Sequence, residues 1–422
     1  MERIVITGIG ALTPIGNTFI ESWNAVMDGV SGIRTVTACD ADDLPWNVAG
    51  EPQAFNEHTY LSEREIRILD PFVRYAVAAS VMAAQDAGLM DPLEGKKAQI
   101  SQKEFGDYVS EGAVIIGSSR GGIRTIEKAL TQERKNQKNV GWFGVSPFLM
   151  PATTVGMASS YVAQRLNMRG YCLGISNACS SGANAIGEAY RLLRSGYSGP
   201  VLAGGADAAV CRLCLEGYGV SGALSKRTSD SASRPFAHSR DGFVLAEGAC
   251  IMVLERHDCA ANRGAVVYGE ITGYGNTADA FHQTKPDAAG QARTMIKALQ
   301  DASLVSKQVD YLNTHGTGTY LGDQVESEAI GMVYGEHASI IPASAIKSMT
   351  GHMLAASGAF EVATSLMSLK EGIIPPTINL SEQDHACAVN IVTEKMKRDL
   401  QTAVSHSFGF GGVNTVLVCK KL

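Results

Sequence analysis

Short apolar runs rich in β-branched residues recur along the chain at 4–8, 113–118, 173–176, 201–205, 249–254, 266–273, 310–313 and 404–407, each ending at Gly, Ser, Asn, Thr or another polar position. Too short for helices and apolar on both faces, they predict buried strands. Between them, apolar positions return every three or four residues over 70–87, 181–194, 292–301, 323–333 and 355–369, which predicts helices. This alternation predicts an α/β fold with helices layered on sheets. Between two apolar strands, 255–264 turns polar, and we place there a boundary between two α/β halves, 1–260 and 261–422.

Composition narrows the class. With 422 residues, 45% of them hydrophobic, 18% charged and 45 glycines, the chain can bury a large core and form many tight turns, which excludes a disordered segment. A net charge of −6 lacks the basic surplus of a general nucleic-acid binder. The first residues do not read as a secretory signal, and no apolar stretch approaches the roughly 18 residues of a membrane span, so a cytoplasmic location is expected. Nine cysteines, an odd number without paired spacing, argue against a disulfide framework. Cys211 and Cys214 form a single C-x-x-C without a second pair or a flanking histidine, and no metal site is expected. Residues 217–222 fit G-x-G-x-x-G but do not link a strand to a helix, and no phosphate-binding loop occurs; neither NAD nor ATP is expected.

Four segments carry the candidate chemistry. In 173–182 (LGISNACSSG) a strand meets small residues and then a helix, so Cys179 is expected on a sharp elbow at a helix N-terminus, where free N–H groups favour a thiolate and bind an oxyanion. In 313–323 (NTHGTGTYLGD) a strand ends at His315 beside a Gly/Thr loop. In 347–352 (KSMTGH) Lys347 and His352 flank a Gly turn that is able to point both into one pocket. In 407–414 (SFGFGGVN) glycines let backbone donors approach a ligand.

Taken in this order, these segments closely resemble the elongating β-ketoacyl-ACP synthases and their polyketide relatives, from VITGIGALTPIGN at the start to SFGFGGVN at the end. The resemblance implies a thiolase-like fold, duplicated halves in five-layered αβαβα packing. It makes Cys179 the acylated nucleophile, His315 and His352 the catalytic pair and Lys347 the active-site lysine. Asp323 and Glu326 match the acidic positions after the first histidine; they also read as helix N-terminal acids. Phe410 matches the gating phenylalanine, with Gly411 beside it, and the N–H groups of Cys179 and Phe410 would hold the oxyanion. Phe408, Thr317, Thr319 and Thr284 fall in the substrate pocket. No cofactor is implied, since substrates ride on the phosphopantetheine arm of acyl carrier protein. The implied reaction is decarboxylating Claisen condensation with malonyl-ACP.

Departures from the pattern set the finer reading. Asn177-Ala-Cys, His-Gly-Thr-Gly-Thr, His406 and Val413 differ from the usual fatty-acid members, which inclines the reading toward a discrete type II ketosynthase of polyketide or polyene biosynthesis. The alternative is a fatty-acid elongation synthase II. A non-catalytic chain-length-factor partner is disfavoured, because the cysteine and both histidines are present. Initiating synthases, which carry Asn at the position of His352, and thiolases, which need a second cysteine in the final glycine loop, are disfavoured too. A homodimer or a heterodimer with a homologous subunit is expected. Because carrier proteins are acidic, Arg64, Arg67, Arg74 and Arg212 are candidates for docking, with a merely solvated helix face as the other reading.

Overall fold

A computed structural model describes residues 2–91, 106–136 and 146–422. Its principal strands are β1 (Ile4–Leu12), β2 (Ala113–Gly117), β3 (Cys172–Ile175), β4 (Val201–Asp207), β5 (Gly248–Arg256), β6 (Gly269–Ala278), β7 (Tyr311–Asn313), β8 (Ala343–Ser344), β9 (Thr402–Gly409) and β10 (Val413–Lys420). The order β3-β2-β4-β5-β1 is repeated as β8-β7-β9-β10-β6. The directions repeat as well. β2 runs parallel to β3 and β4, β4 is antiparallel to β5, and β5 to β1. Likewise β7 runs parallel to β8 and β9, β9 is antiparallel to β10, and β10 to β6. A short pairing of residues 4–6 with 269–271 joins the two sets into one ten-stranded sheet.

Six helices complete the layering: α1 (Pro71–Asp86), α2 (Ser181–Arg194), α3 (Arg212–Val220), α4 (Ala288–Asp301), α5 (Tyr320–Tyr334) and α6 (Ala355–Glu371). α1 covers the outer face of β1, β4 and β5, while α4 covers β6 and β10 and carries α5 against it. α2 and α6 lie between the two strand sets and touch each other and both sets. The result is the five-layered αβαβα, thiolase-like arrangement. Every residue of α6 from 355 to 369 is buried, which explains its near-absence of charge. Small residues permit this central packing: a Cβ on Gly182 would lie 2.1 Å from the Ala355 carbonyl oxygen.

The expected strands and helices are all present, with shifted ends. β1 runs on to Leu12 through glycines that read as a stop, because α1 presses on the strand; a Cβ at Gly8 would meet the Ala83 carbonyl oxygen at 2.3 Å. The polar stretch 255–264 contains a short helix, His257–Asn262, between β5 and β6. Residues 217–222 form the end of α3 and the turn after it, not a strand-to-helix phosphate loop.

Candidate active site

Because the two strand sets share one plan, their strand ends converge. Cys179 follows β3, His315 follows β7, His352 follows β8, and Phe408 and Phe410 lie at the end of β9. All five line one cavity of about 820 Å³. Cys179 sits in a single 3-10 turn, Ala178–Ser180, that runs straight into α2. Ala178 has φ +48°, a strained value for a residue with a Cβ, and Ser181 Oγ accepts the Asn177 N–H at 2.8 Å. Such an elbow lifts one side chain out of the turn.

The helix terminus was expected to favour a thiolate at Cys179, and burial works against it. Burial raises its thiol to about 11, outweighing the pull of Lys347, Arg120 and a hydrogen bond from the Phe410 N–H. The group rests as a thiol. Beside it, the Gly411 N–H donates to the Gln283 carbonyl at 2.7 Å, while the Phe410 N–H faces the sulfur. Gly411 and Gly412, at φ +86° and +69°, turn the loop, and a Cβ on Gly412 would lie 2.7 Å from Asp279.

His315 and His352 stand edge to face with ring centres 5.4 Å apart. The Lys347 ammonium lies 3.3 Å from His315 Nδ1 and donates to the His315 carbonyl at 2.6 Å. An ammonium only donates, so Nδ1 accepts and Nε2 carries the hydrogen. In the same way His352 Nδ1 lies 3.3 Å from Ser357 Oγ, which already accepts the Met353 N–H. With the Ser357 hydroxyl donating to Nδ1 the hydrogen sits on His352 Nε2, which has no hydrogen-bond partner among the described residues. Burial, with Lys347 close by, holds both imidazoles well below the usual histidine value, so both are neutral donors.

Lys347 is not a wall of the cavity, as its sequence position beside His352 suggested. It is fully buried behind His315 and ion-paired with Glu361, whose carboxyl burial pushes up to about 7. Glu361 was missed by the sequence reading, although it is the only charged residue between 355 and 369. The two acids anticipated after His315 act on main chain and not on the imidazoles of His315 and His352. Glu326 accepts the N–H groups of His315 and Gly316 at 2.8 Å each, and Asp323 accepts those of Thr317, Gly318 and Phe236. Glu326 also meets His406 Nδ1 at 3.0 Å. These carboxylates fix the 315–319 loop that presents His315.

A family model for the β-ketoacyl synthase N-terminal domain matches residues 1–260, and one for the C-terminal domain matches 268–381. The chain belongs to the β-ketoacyl synthase family. It is 39% identical to 3-oxoacyl-[acyl-carrier-protein] synthase 2 of Synechocystis over all of this chain and 98% of that one, and 38% identical to the Vibrio harveyi enzyme of the same name over 100% and 99%. Among solved structures it is similar to a chain of the ishigamide ketosynthase/chain length factor (TM-score 0.91, 32% identity, 100% and 99% covered). It is also similar to a type II polyketide acyl-carrier protein complex with its ketosynthase bound to the hexaketide (0.88, 30%, 100% and 99%). This β-ketoacyl synthase is a condensing acyltransferase.

The synthase's cavity is also lined by Thr284, Lys285, Thr317, Thr319 and Tyr320, with the Thr317 and Thr319 hydroxyls 3.0 Å apart, and by Arg120, Ile123, Leu213, Tyr218, Ala223 and Phe243. None of the four arginines anticipated for docking lines it. Arg64 and Arg67 are exposed on the short helix Glu63–Ile68. Arg74 is largely buried and ion-paired with Glu57, and Arg212 is held by Asp43 at 2.7 Å and Glu216 at 2.8 Å. Arg74 and Arg212 are thus already paired with carboxylates of the same chain.

Proposed function

We propose that this chain condenses an acyl group carried on Cys179 with malonyl-ACP, releasing carbon dioxide and giving β-ketoacyl-ACP. The observation that carries the reading is one cavity holding the Cys179 sulfur and two neutral imidazoles tuned as Nε2–H donors. Cys179 attacks the acyl thioester; its C–S bond to the carrier breaks, a C–S bond to Cys179 forms, and the thiol proton goes to the departing carrier thiol. Malonyl-ACP then loses carbon dioxide, and the electron pair of the broken C–C bond becomes an enolate. Both imidazoles donate to the thioester oxygen on which that charge develops. The enolate carbon attacks acyl-Cys179, the N–H groups of Cys179 and Phe410 hold the oxyanion, and the Cys179 thiolate leaves and takes up a proton.

In this scheme residues 1–260 supply the nucleophile and 261–422 the histidines, Phe410 gates the cavity, and the cavity wall at Thr284, Thr317 and Thr319 takes the phosphopantetheine. We favour a type II polyketide or polyene ketosynthase, from the Asn177, Gly318, His406 and Val413 departures and the polyketide neighbours in structure. The full-length identity to synthase 2 enzymes supports fatty-acid elongation as the second reading. Intact-mass measurement after mixing with acyl-ACP tests the core reading: a folded chain in which Cys179 gains no acyl group sinks it. Repeated extension on malonyl-ACP without a reductase supports polyketide work; a single round supports elongation. Co-purification with a homologous subunit supports a heterodimer, and full activity as a homodimer opposes it.

A further inference from the structure

Arg120 and Tyr218 stand together on the cavity wall, which also carries the apolar Ile123, Leu213, Ala223 and Phe243. Arg120 Nε donates to the Tyr218 hydroxyl at 2.7 Å, and the guanidinium lies 5.0 Å from that ring's centre. Its main-chain N–H is fixed by Asp207 at 3.1 Å, so the loop that carries it is anchored. Among the described residues no carboxylate pairs with the Arg120 guanidinium, unlike Arg74, Arg124, Arg212 and Arg240. Among the described residues its terminal N–H groups have no acceptor. The Tyr218 ring is held by Phe243 and Phe410, with centroids 5.4 and 6.4 Å away, so the pair stands beside Phe410 on the cavity wall.

A saturated chain laid along this wall would cover charged donors and offer them nothing, which is unfavourable. An acyl chain bearing an oxygen would meet a planar donor fork already oriented by Tyr218. We infer that Arg120, positioned by Tyr218, is a specificity-determining residue that selects acyl groups carrying a keto or carboxylate oxygen along the chain over plain hydrocarbon chains. The inference rests on Cys179 being the acyl acceptor. It bears directly on the pathway, since an unreduced chain carries such oxygens and a fully reduced one does not.

The test measures Cys179 acylation by intact mass, using three pantetheine thioesters of equal length: hexanoyl, 5-oxohexanoyl and adipoyl. In the unaltered chain at least one oxygenated thioester is expected to react about 10- to 100-fold faster than hexanoyl, the range for a hydrogen bond to a charged group. An advantage confined to adipoyl assigns the site to carboxylates, and one shared with 5-oxohexanoyl assigns it to keto chains; either supports the inference. Arg120→Leu should bring the rate ratios close to one. Equal rates in the unaltered chain, or a preference unchanged in Arg120→Leu, overturn it. Should Arg120→Leu fail to fold, Tyr218→Phe keeps the ring and removes the hydroxyl that orients the guanidinium. It should lower the preference several-fold, and an unchanged preference overturns the inference. Reaction with hexanoyl but no preference leaves the condensing function standing, whereas no acylation by any of the three defeats the function and the inference together.

Discussion

The two strand sets share one connectivity and differ in what stands at the strand ends. After β2 come Ser118 and Arg120, and after its counterpart β7 comes His315. After β3 comes Cys179 at the start of α2; after β8 come Lys347 and His352 before α6. At the end of β4 the buried Asp207 ties down the N–H groups of Ser119, Arg120 and Ala355, and at the end of β9 Phe408 and Phe410 line the cavity. The first set offers a thiol and a cation; the second offers imidazoles and two aromatic rings. A duplicated frame thus brings one chemistry from each side to a shared cavity, and in the proposed reaction acyl capture belongs to the first and decarboxylation to the second.

The strongest way to break that division is to remove each side in turn. Cys179→Ala should lower β-ketoacyl-ACP formation at least about 10³-fold, because no covalent acyl-enzyme forms, while malonyl-ACP still loses carbon dioxide. His315→Ala or His352→Ala should do the reverse: Cys179 still gains an acyl mass, and carbon dioxide release falls about 10²- to 10³-fold with the loss of one oxyanion donor. Following both products by mass spectrometry checks the pair. Loss of acylation in the histidine variants and of decarboxylation in Cys179→Ala would dissolve the division.

Behind His315, beneath the second set, lies the buried Lys347–Glu361 ion pair. Glu361→Gln leaves the Lys347 ammonium buried without its carboxylate, a change expected to lower unfolding free energy by about 3–5 kcal/mol. Urea denaturation measures it. Cys179→Ala, which removes no buried charge, should shift the same transition far less.

How legible this was depended on the kind of signal. Strand and helix positions could be read because burial on both faces leaves an uninterrupted apolar pattern, as in 113–117 and 355–369. Cys179, His315 and His352 were legible through the order of their segments and its resemblance to a known family, since each segment alone reads as well as a structural turn; the structure brings all three to one cavity. Glu361 was not, since its meaning depends on Lys347 arriving from another element. The matched charges of Arg74 and Arg212 were hidden for the same reason: Glu57 and Asp43 are far away in sequence. The thiol's upward shift was also out of reach, because a motif shows the helix terminus and not the desolvation that outweighs it.

The histidines provide a milder test through pH. Both titrate well below 6.5 when folded and near that value when unfolded, so the unfolded chain binds more protons just below pH 6.5. Their stabilising contribution is complete above about 6.5 and declines as pH falls toward the folded values. Below pH 6.5 the histidines therefore contribute a destabilising slope to thermal melts, against the opposite one from Glu361, whose raised carboxyl binds a proton in the folded chain. His352→Asn, which does not titrate, should reduce that slope. Carbon dioxide release, which uses the neutral form, should hold steady through pH 6.5 as long as the chain stays folded.

The smallest expected effect concerns the surface outside both sets. Arg67 is exposed, whereas Arg212 already answers two carboxylates. Charge reversal at Arg67 should raise the KM for acyl-ACP a few-fold at low salt and hardly at all at high salt, since an exposed charge is screened over about 10 Å at 0.1 M. Small pantetheine thioesters should be unaffected. Arg212→Glu should instead repel Asp43 and Glu216 and disturb the start of α3, whose later residues line the cavity. Its effect should therefore appear with small thioesters as well as with carrier. Steady-state kinetics with both substrates separates the two arginines, and equal behaviour at the two sites would remove Arg67 from the docking surface.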